Sequence, residues 1–256
     1  MKFIKPLLYI LFIAFIYCKN TKKENQTGFK LVKRNFYVVN SVNGLNAYYN
    51  SDTGQPLNGY YIVGNKLNKW EEFEVDNGLL KGEYIIYHPN GKAYSKTTYS
   101  NGKKHGEERF FLPDGTLSKL NNYKNDKLYG TSYLYFNNGQ IHTKSKIKKE
   151  EVIESVSYNL IGEIESQMFI NDGLKITQTI NAGKIVVEKI SSTYDNFEAV
   201  KFYNEDGSLE KFLRIITNNE NPEIIELDEN KNEIKRVNLK TNPEEIETYR
   251  KYFGYF

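Results

Sequence analysis

The chain has 256 residues, with 35 Lys and Arg against 32 Asp and Glu, three His and a single Cys. So even a balance excludes a strong electrostatic case for nucleic acid, which needs cations clustered against phosphates. A lone Cys also excludes an intramolecular disulfide.

At the front, Lys2 and Lys5 precede an apolar run from Leu7 to Tyr17 that stops at Cys18. That run falls short of the roughly 20 residues needed to span a bilayer, but it suits the hydrophobic region of a secretory signal. Residues 1–17 therefore read as a signal peptide and residues 18–30 as a polar tether. Removing residues 1–17 takes away two Lys, which leaves 33 basic against 32 acidic groups. The position of Cys18 resembles the lipid-modified cysteine of bacterial lipoproteins, where the signal is cut just before Cys and the new terminus is acylated. The resemblance implies that Cys18 is the lipidation site and that the exported chain is anchored in the bacterial cell envelope, at the outer membrane or cell surface. Ile16 and Tyr17 stand where that motif prefers small residues, so an incidental cysteine and an uncleaved signal anchor remain competing readings.

Residues 31–240 carry a repeat. Gly91, Gly115 and Gly139 are 24 residues apart, Gly82, Gly106 and Gly130 keep the same period, and Gly54, Gly78 and Gly102 continue it, with Asp126 where the next glycine is due. Between the glycines lie strand-length runs rich in aromatic and β-branched residues, closed by Pro-Asn-Gly, Pro-Asp-Gly or Asn-Asn-Gly, so each unit is a β-hairpin. An aromatic column precedes each hairpin turn (Tyr87, Phe111, Tyr135, Tyr158, Tyr203) and an apolar column follows it (Ala93, Leu117, Ile141, Ile164, Leu209). A third column is Val75, Tyr99, Tyr123, Ile147 and Ile170. These columns are expected to build the core, because one hairpin buries too little surface to fold and successive hairpins must share a sheet. Gly183 arrives 10 residues after Gly173 where 13 would keep register, which implies a deletion, a bulge or an irregular hairpin.

Residues 241–256 end the chain differently. Asn242 and Pro243 are a helix-start signal, with Ile246, Tyr249 and Phe253 following at helical spacing. The expected role is a short helix covering the last sheet edge; an aromatic tail that docks a partner is the rival.

The catalytic inventory is poor. No two His have the spacing of a zinc site, and His105 sits in a repeat column with Lys81 and Tyr129. The phosphate-cradling glycine motif is absent and the acidic turns lack a calcium-binding pattern. No enzyme, metal or cofactor is expected. Tyrosine supplies 21 residues, more than the columns use, and those on the other strand face would be exposed and adhesive. Tyr84 and Tyr133 are the candidate binding-face aromatics.

Asn101-Gly102-Lys103-Lys104-His105-Gly106-Glu107 followed by Phe110-Phe111-Leu112-Pro113-Asp114-Gly115-Thr116-Leu117 resembles the bacterial variant of the membrane occupation and recognition nexus (MORN) repeat. The resemblance is strong over Asp76 to Ile141. It implies an all-β fold, an elongated twisted single-layer sheet of stacked hairpins, with no catalytic residues to carry over. It also implies a protein-binding role, of the antitoxin or immunity type in toxin systems, with an unidentified protein partner such as a toxin. The chain is expected to be a monomer. The alternative is a structural envelope scaffold that binds glycan, peptidoglycan or lipid.

Overall fold

The computed structural model describes residues 28–216 and 222–255; the expected signal segment, Cys18 and Phe256 lie outside them. The described chain is all-β, one elongated open sheet ending in a short helix. The strands begin with β1 (Lys30–Val32), β2 (Tyr37–Val42), β3 (Leu45–Asn50), β4 (Gly59–Gly64) and β5 (Lys69–Asp76). The crisp repeats supply β6 (Leu79–Tyr87), β7 (Ala93–Ser100), β8 (Lys103–Phe111), β9 (Leu117–Lys124), the two-residue β10 (Lys127–Leu128) and β11 (Gly130–Tyr135). They run on into β12 (Ile141–Lys148), β13 (Glu151–Tyr158), β14 (Ile164–Asn171), β15 (Leu174–Asn181) and β16 (Lys184–Ser192). The last are β17 (Glu198–Tyr203), β18 (Leu209–Ile216), β19 (Glu223–Leu227) and β20 (Glu233–Asn238).

From β4 to β20 each long strand pairs antiparallel with the next, and β1 adds in parallel beside β4. Two kinds of turn alternate. Along one edge lie two-residue turns in which both residues have positive φ, as at Asn77-Gly78 (47° and 80°) and Asn101-Gly102 (50° and 75°). This is the type I′ geometry whose twist matches that of paired strands. Asn125-Asp126 (53°, 68°) and Lys149-Glu150 (53°, 67°) keep the same turn without glycine. The other edge carries longer turns, such as the one where the His88 N–H donates to Lys92 C=O at 2.8 Å. β15 and β16 are joined by the short turn Ala182-Gly183, with a bulge at Thr179/Ile180, which accounts for the early arrival of Gly183.

The aromatic and apolar columns do pair, Tyr87 with Ala93, Phe111 with Leu117, Tyr135 with Ile141, Tyr158 with Ile164 and Tyr203 with Leu209, each at a bulge. They do not form the buried core expected of them. All ten are half-buried or exposed, because a single layer has no second sheet above its turn edge. Of the third column only Val75 and Ile147 are fully buried.

The core lies instead at the two ends. We call the face carrying Phe73 and Tyr84 the front. At its first end β2 and β3 fold over as a hairpin, so that Tyr48 joins Leu57, Tyr61, Val63, Phe73, Val75 and Leu80 in one cluster. At the other end the chain runs through α1 (Glu245–Tyr249) and a 3-10 turn over Arg250–Tyr255. Tyr249 and Tyr252 from this segment are buried with Val187, Val200, Phe202, Leu213, Ile224 and Val237. The helix thus lies across the front of the sheet and not along its last edge, the seat expected from sequence. An edge contact could bury only backbone and one strand's side chains, whereas the face offers five strands of apolar groups. A third cluster, Ile190, Ala199, Phe212, Ile225 and Leu227, lies on the back of the same end. Between the capped ends the middle strands have no covering layer among the described residues.

Candidate functional site: the open middle of the sheet

Residues directly opposed on neighbouring strands share a face, so the register gives the rows of side chains that cross the sheet. On the front, Tyr84 opposes Thr97, Thr97 opposes Glu108, and Glu108 opposes Asn121. The row continues through hydrogen bonds: the Asn121 amide donates to Glu108 at 3.0 Å and the Ser132 hydroxyl to Asn121 at 2.9 Å. Ser132 then opposes Ser145, and Ser145 opposes Ser155. Glu108 is nearly buried and is also held by Lys104. Burial pushes its carboxyl up, but the Lys104 and Asn121 hydrogen bonds outweigh this and hold it below the usual carboxylate range. Among the described residues no buried side-chain polar atom lacks a partner, so this face is satisfied internally.

The back row differs. Ile85 opposes Lys96, Lys96 opposes Arg109, Arg109 opposes Leu120, Leu120 opposes Tyr133, and Tyr133 opposes Lys144. Lys96 and Arg109 are like charges directly across an antiparallel pair, an arrangement that destabilises a sheet. Arg109 is partnered by Glu107, while Lys96 and Lys144 make no ion pair among the described residues. Tyr133 stacks on Tyr135, with centroids 6.1 Å apart and planes 28° from parallel. Three cations and two stacked tyrosines therefore line a half-exposed strip on the uncovered part of the sheet.

The two candidate aromatics do not share a face. Tyr84 lies in the 24-residue column of Glu108 and Ser132, whereas Tyr133 lies one position on, in the column of Ile85 and Arg109. One residue of offset turns a side chain to the other face. Tyr84 is already engaged: its ring meets Phe73 edge-on at 5.8 Å and its hydroxyl donates to Glu71 at 2.6 Å, beside Tyr37, which donates to the same oxygen at 2.9 Å. Sequence reasoning missed Lys96, Arg109 and Lys144, although the spacing from residue 85 to 109 to 133 would have placed two row members together. The histidines serve the repeat: His88 Nε2 bonds Phe111 C=O at 2.9 Å and His105 Nδ1 bonds Asn125 at 3.2 Å. Among the described residues no cluster of His, Cys, Asp and Glu could hold a metal ion, and no helix is long and apolar enough to cross a membrane.

The family model described as the MORN repeat variant matches residues 80–101 and 104–125. Two adjacent units match the MORN repeat. They are the hairpins β6–β7 and β8–β9, which contribute Lys96, Arg109 and Leu120 to the back row. Comparison with curated proteins gives no match. Among solved structures, similarity is found to the crystal structure of accessory secretory protein 1, 2 and 3 in Streptococcus pneumoniae, at 16% identity and a TM-score of 0.26. The likeness covers 42% of this chain and 20% of that one, so it spans about a fifth of that chain's length.

Proposed function

We propose that this chain is a membrane-anchored repeat protein of the bacterial envelope that binds another polypeptide through the open middle of its sheet, as an immunity or antitoxin-type factor. The observation that carries this reading is the back row, where Lys96, Arg109 and Lys144 flank Tyr133 on an uncovered face. Aromatic groups and Arg are the side chains that supply most binding energy at protein interfaces. Cations without a full set of counter-ions favour an acidic partner and speed its encounter. The anchor rests on Cys18. The reading is of a binding protein and not an enzyme.

A second reading, a scaffold that binds envelope glycan, is favoured by one cleft. The only tryptophan, Trp70, lies under the Arg34 guanidinium at 5.1 Å, and the Tyr87 ring lies under the Lys69 amine at 5.1 Å. Together with Asn68 these residues line a shallow cleft of about 330 Å³.

The test is capture of partners from native envelope and culture fluid by the full chain and by an Arg109→Ala/Tyr133→Ala variant. One polypeptide retained at near-equal stoichiometry by the wild type and lost with the variant is the expected result. Equal retention by both would refute the back row, and recovery of glycan alone would favour the scaffold.

A further inference from the structure

Apart from the two-residue β10, three strands are paired on one side only among the described residues: β1, β20 and β2. Natural sheets protect such edges with charge, brevity or a covering element. β1 has three residues and begins with Lys30; β20 carries Glu233, Lys235 and Arg236. β2, Tyr-Val-Val-Asn-Ser-Val, has none of these protections. It has six residues, no charge, no Gly and no Pro, and every residue after Tyr37 is exposed. Val38, Val39 and Val42 are 45%, 43% and 42% exposed.

The register shows which backbone groups are free. Val42 and Leu45 close the two-residue turn Asn43-Gly44, so they exchange hydrogen bonds, and the bonded positions then alternate along the hairpin. Val42, Asn40 and Val38 point their N–H and C=O toward β3, whereas Ser41, Val39 and Tyr37 point theirs away. The partner strand confirms the phase, because Tyr48, opposite Val39, also turns outward: its N–H donates to Gly78 C=O at 2.8 Å and its C=O accepts from Leu57 N–H at 2.9 Å.

We infer that β2 pairs antiparallel with β2 of a second copy of this chain. One register uses every outward group: Val39 opposite Val39 of the second copy, with Tyr37 opposite Ser41 on either side. Three bonded pairs at two bonds each give about six hydrogen bonds across a two-fold axis. In that register no like charges meet. The nearest cation, Arg34, falls opposite the uncharged turn at Gly44, whereas β20 self-paired about Lys235 or Arg236 would set a cation against its own copy. The absence of charge is what selects a second copy as the occupant. A six-residue pairing is small beside the roughly 1,600 Å² of a standard interface, so association is weak and depends on concentration.

The test is amide hydrogen exchange of residues 37–42 in the full chain between about 1 µM and 1 mM, a range suited to a weak complex. Exchange is expected to slow at least tenfold with rising concentration, while the β3 amides are unchanged. Val39→Lys and Val39→Glu are each expected to abolish the slowing, and their equal mixture to restore it, because opposite charges then face each other across the axis. Unchanged β3 protection in both variants shows that they fold. Fast exchange at every concentration overturns the inference, as does slow exchange at every concentration, which would mean that the chain covers this edge itself. Failure of the mixture to restore protection also overturns it.

Discussion

At the scale of single residues, Glu108 shows how a one-layer sheet can hold a charge. Its side chain is only 6% exposed, yet Lys104 and Asn121 satisfy it. Replacing it by Gln leaves Lys104 without its counter-ion, and Glu108→Gln is expected to cost about 1–3 kcal/mol in chemical denaturation. Glu107→Gln, which breaks an exposed pair with Arg109, is expected to cost under about 0.5 kcal/mol. The pH dependence has a fixed sign. The Glu108 carboxyl titrates below its ordinary value in the fold, so its stabilisation is present above about pH 4.3, the unfolded value, and is lost as pH falls through the folded value. The gap between wild type and Glu108→Gln should close on acidification; a gap unchanged at low pH would show that the charge contributes nothing. Tyr48, Tyr99 and Tyr123 behave in the opposite sense. Burial above all pushes each up to about 12, so their contribution is complete below about pH 10 and is lost as pH rises toward the folded value. Ultraviolet titration should therefore show fewer tyrosines ionised in the native chain at about pH 11 than in denaturant; equal counts would contradict this burial.

At the scale of the hairpin, the type I′ turns test how much the glycine pattern matters. Gly78 has φ +80°, and a Cβ there would lie 2.9 Å from Tyr48 C=O, so Gly78→Ala is expected to destabilise by at least about 1–2 kcal/mol. Lys149 and Glu150 occupy the same turn conformation with ordinary side chains, and Lys149→Asn/Glu150→Gly is expected to stabilise by about 1 kcal/mol. Asp126→Gly should not stabilise, because the Asp126 carboxylate accepts from the Lys104 N–H at 2.7 Å and ties adjacent units together. Thermal melts of the three variants separate these cases. The hairpins, their period and both turn edges were legible in the sequence because positive φ demands Gly or Asn and strand alternation is local. The C-terminal helix was legible as well, from Asn242-Pro243 and the spacing of Ile246, Tyr249 and Phe253, but where the capping elements dock was not. That Tyr48 folds over Phe73, that Tyr252 lies over Phe202 and that Tyr249 is buried in the same cluster depends on long-range docking for which the repeat has no column. The face of Tyr133 was legible in principle, since its one-residue offset from the Tyr84 column is visible in the numbering alone.

At the scale of the whole molecule, the chain is a quasi-linear stack in which each unit bonds mainly to its neighbours, so stability should vary along it. The front hairpin and the C-terminal helix add a second layer at either end, and among the described residues the strands between have no such layer, although front side chains such as Thr97, Glu108 and Asn121 are buried among their neighbours. That separation of roles is the central claim: the ends hold the sheet, and the middle, with Lys96, Arg109, Tyr133 and Lys144, is the part we propose to bind. The most direct measurement is residue-resolved amide hydrogen exchange along the full chain at low concentration. The account expects the slowest amides in β4 to β6 and in β16 to β19, with β11 to β14 opening at a lower free energy. Uniform protection from end to end, or slowest exchange in the middle strands, would contradict it.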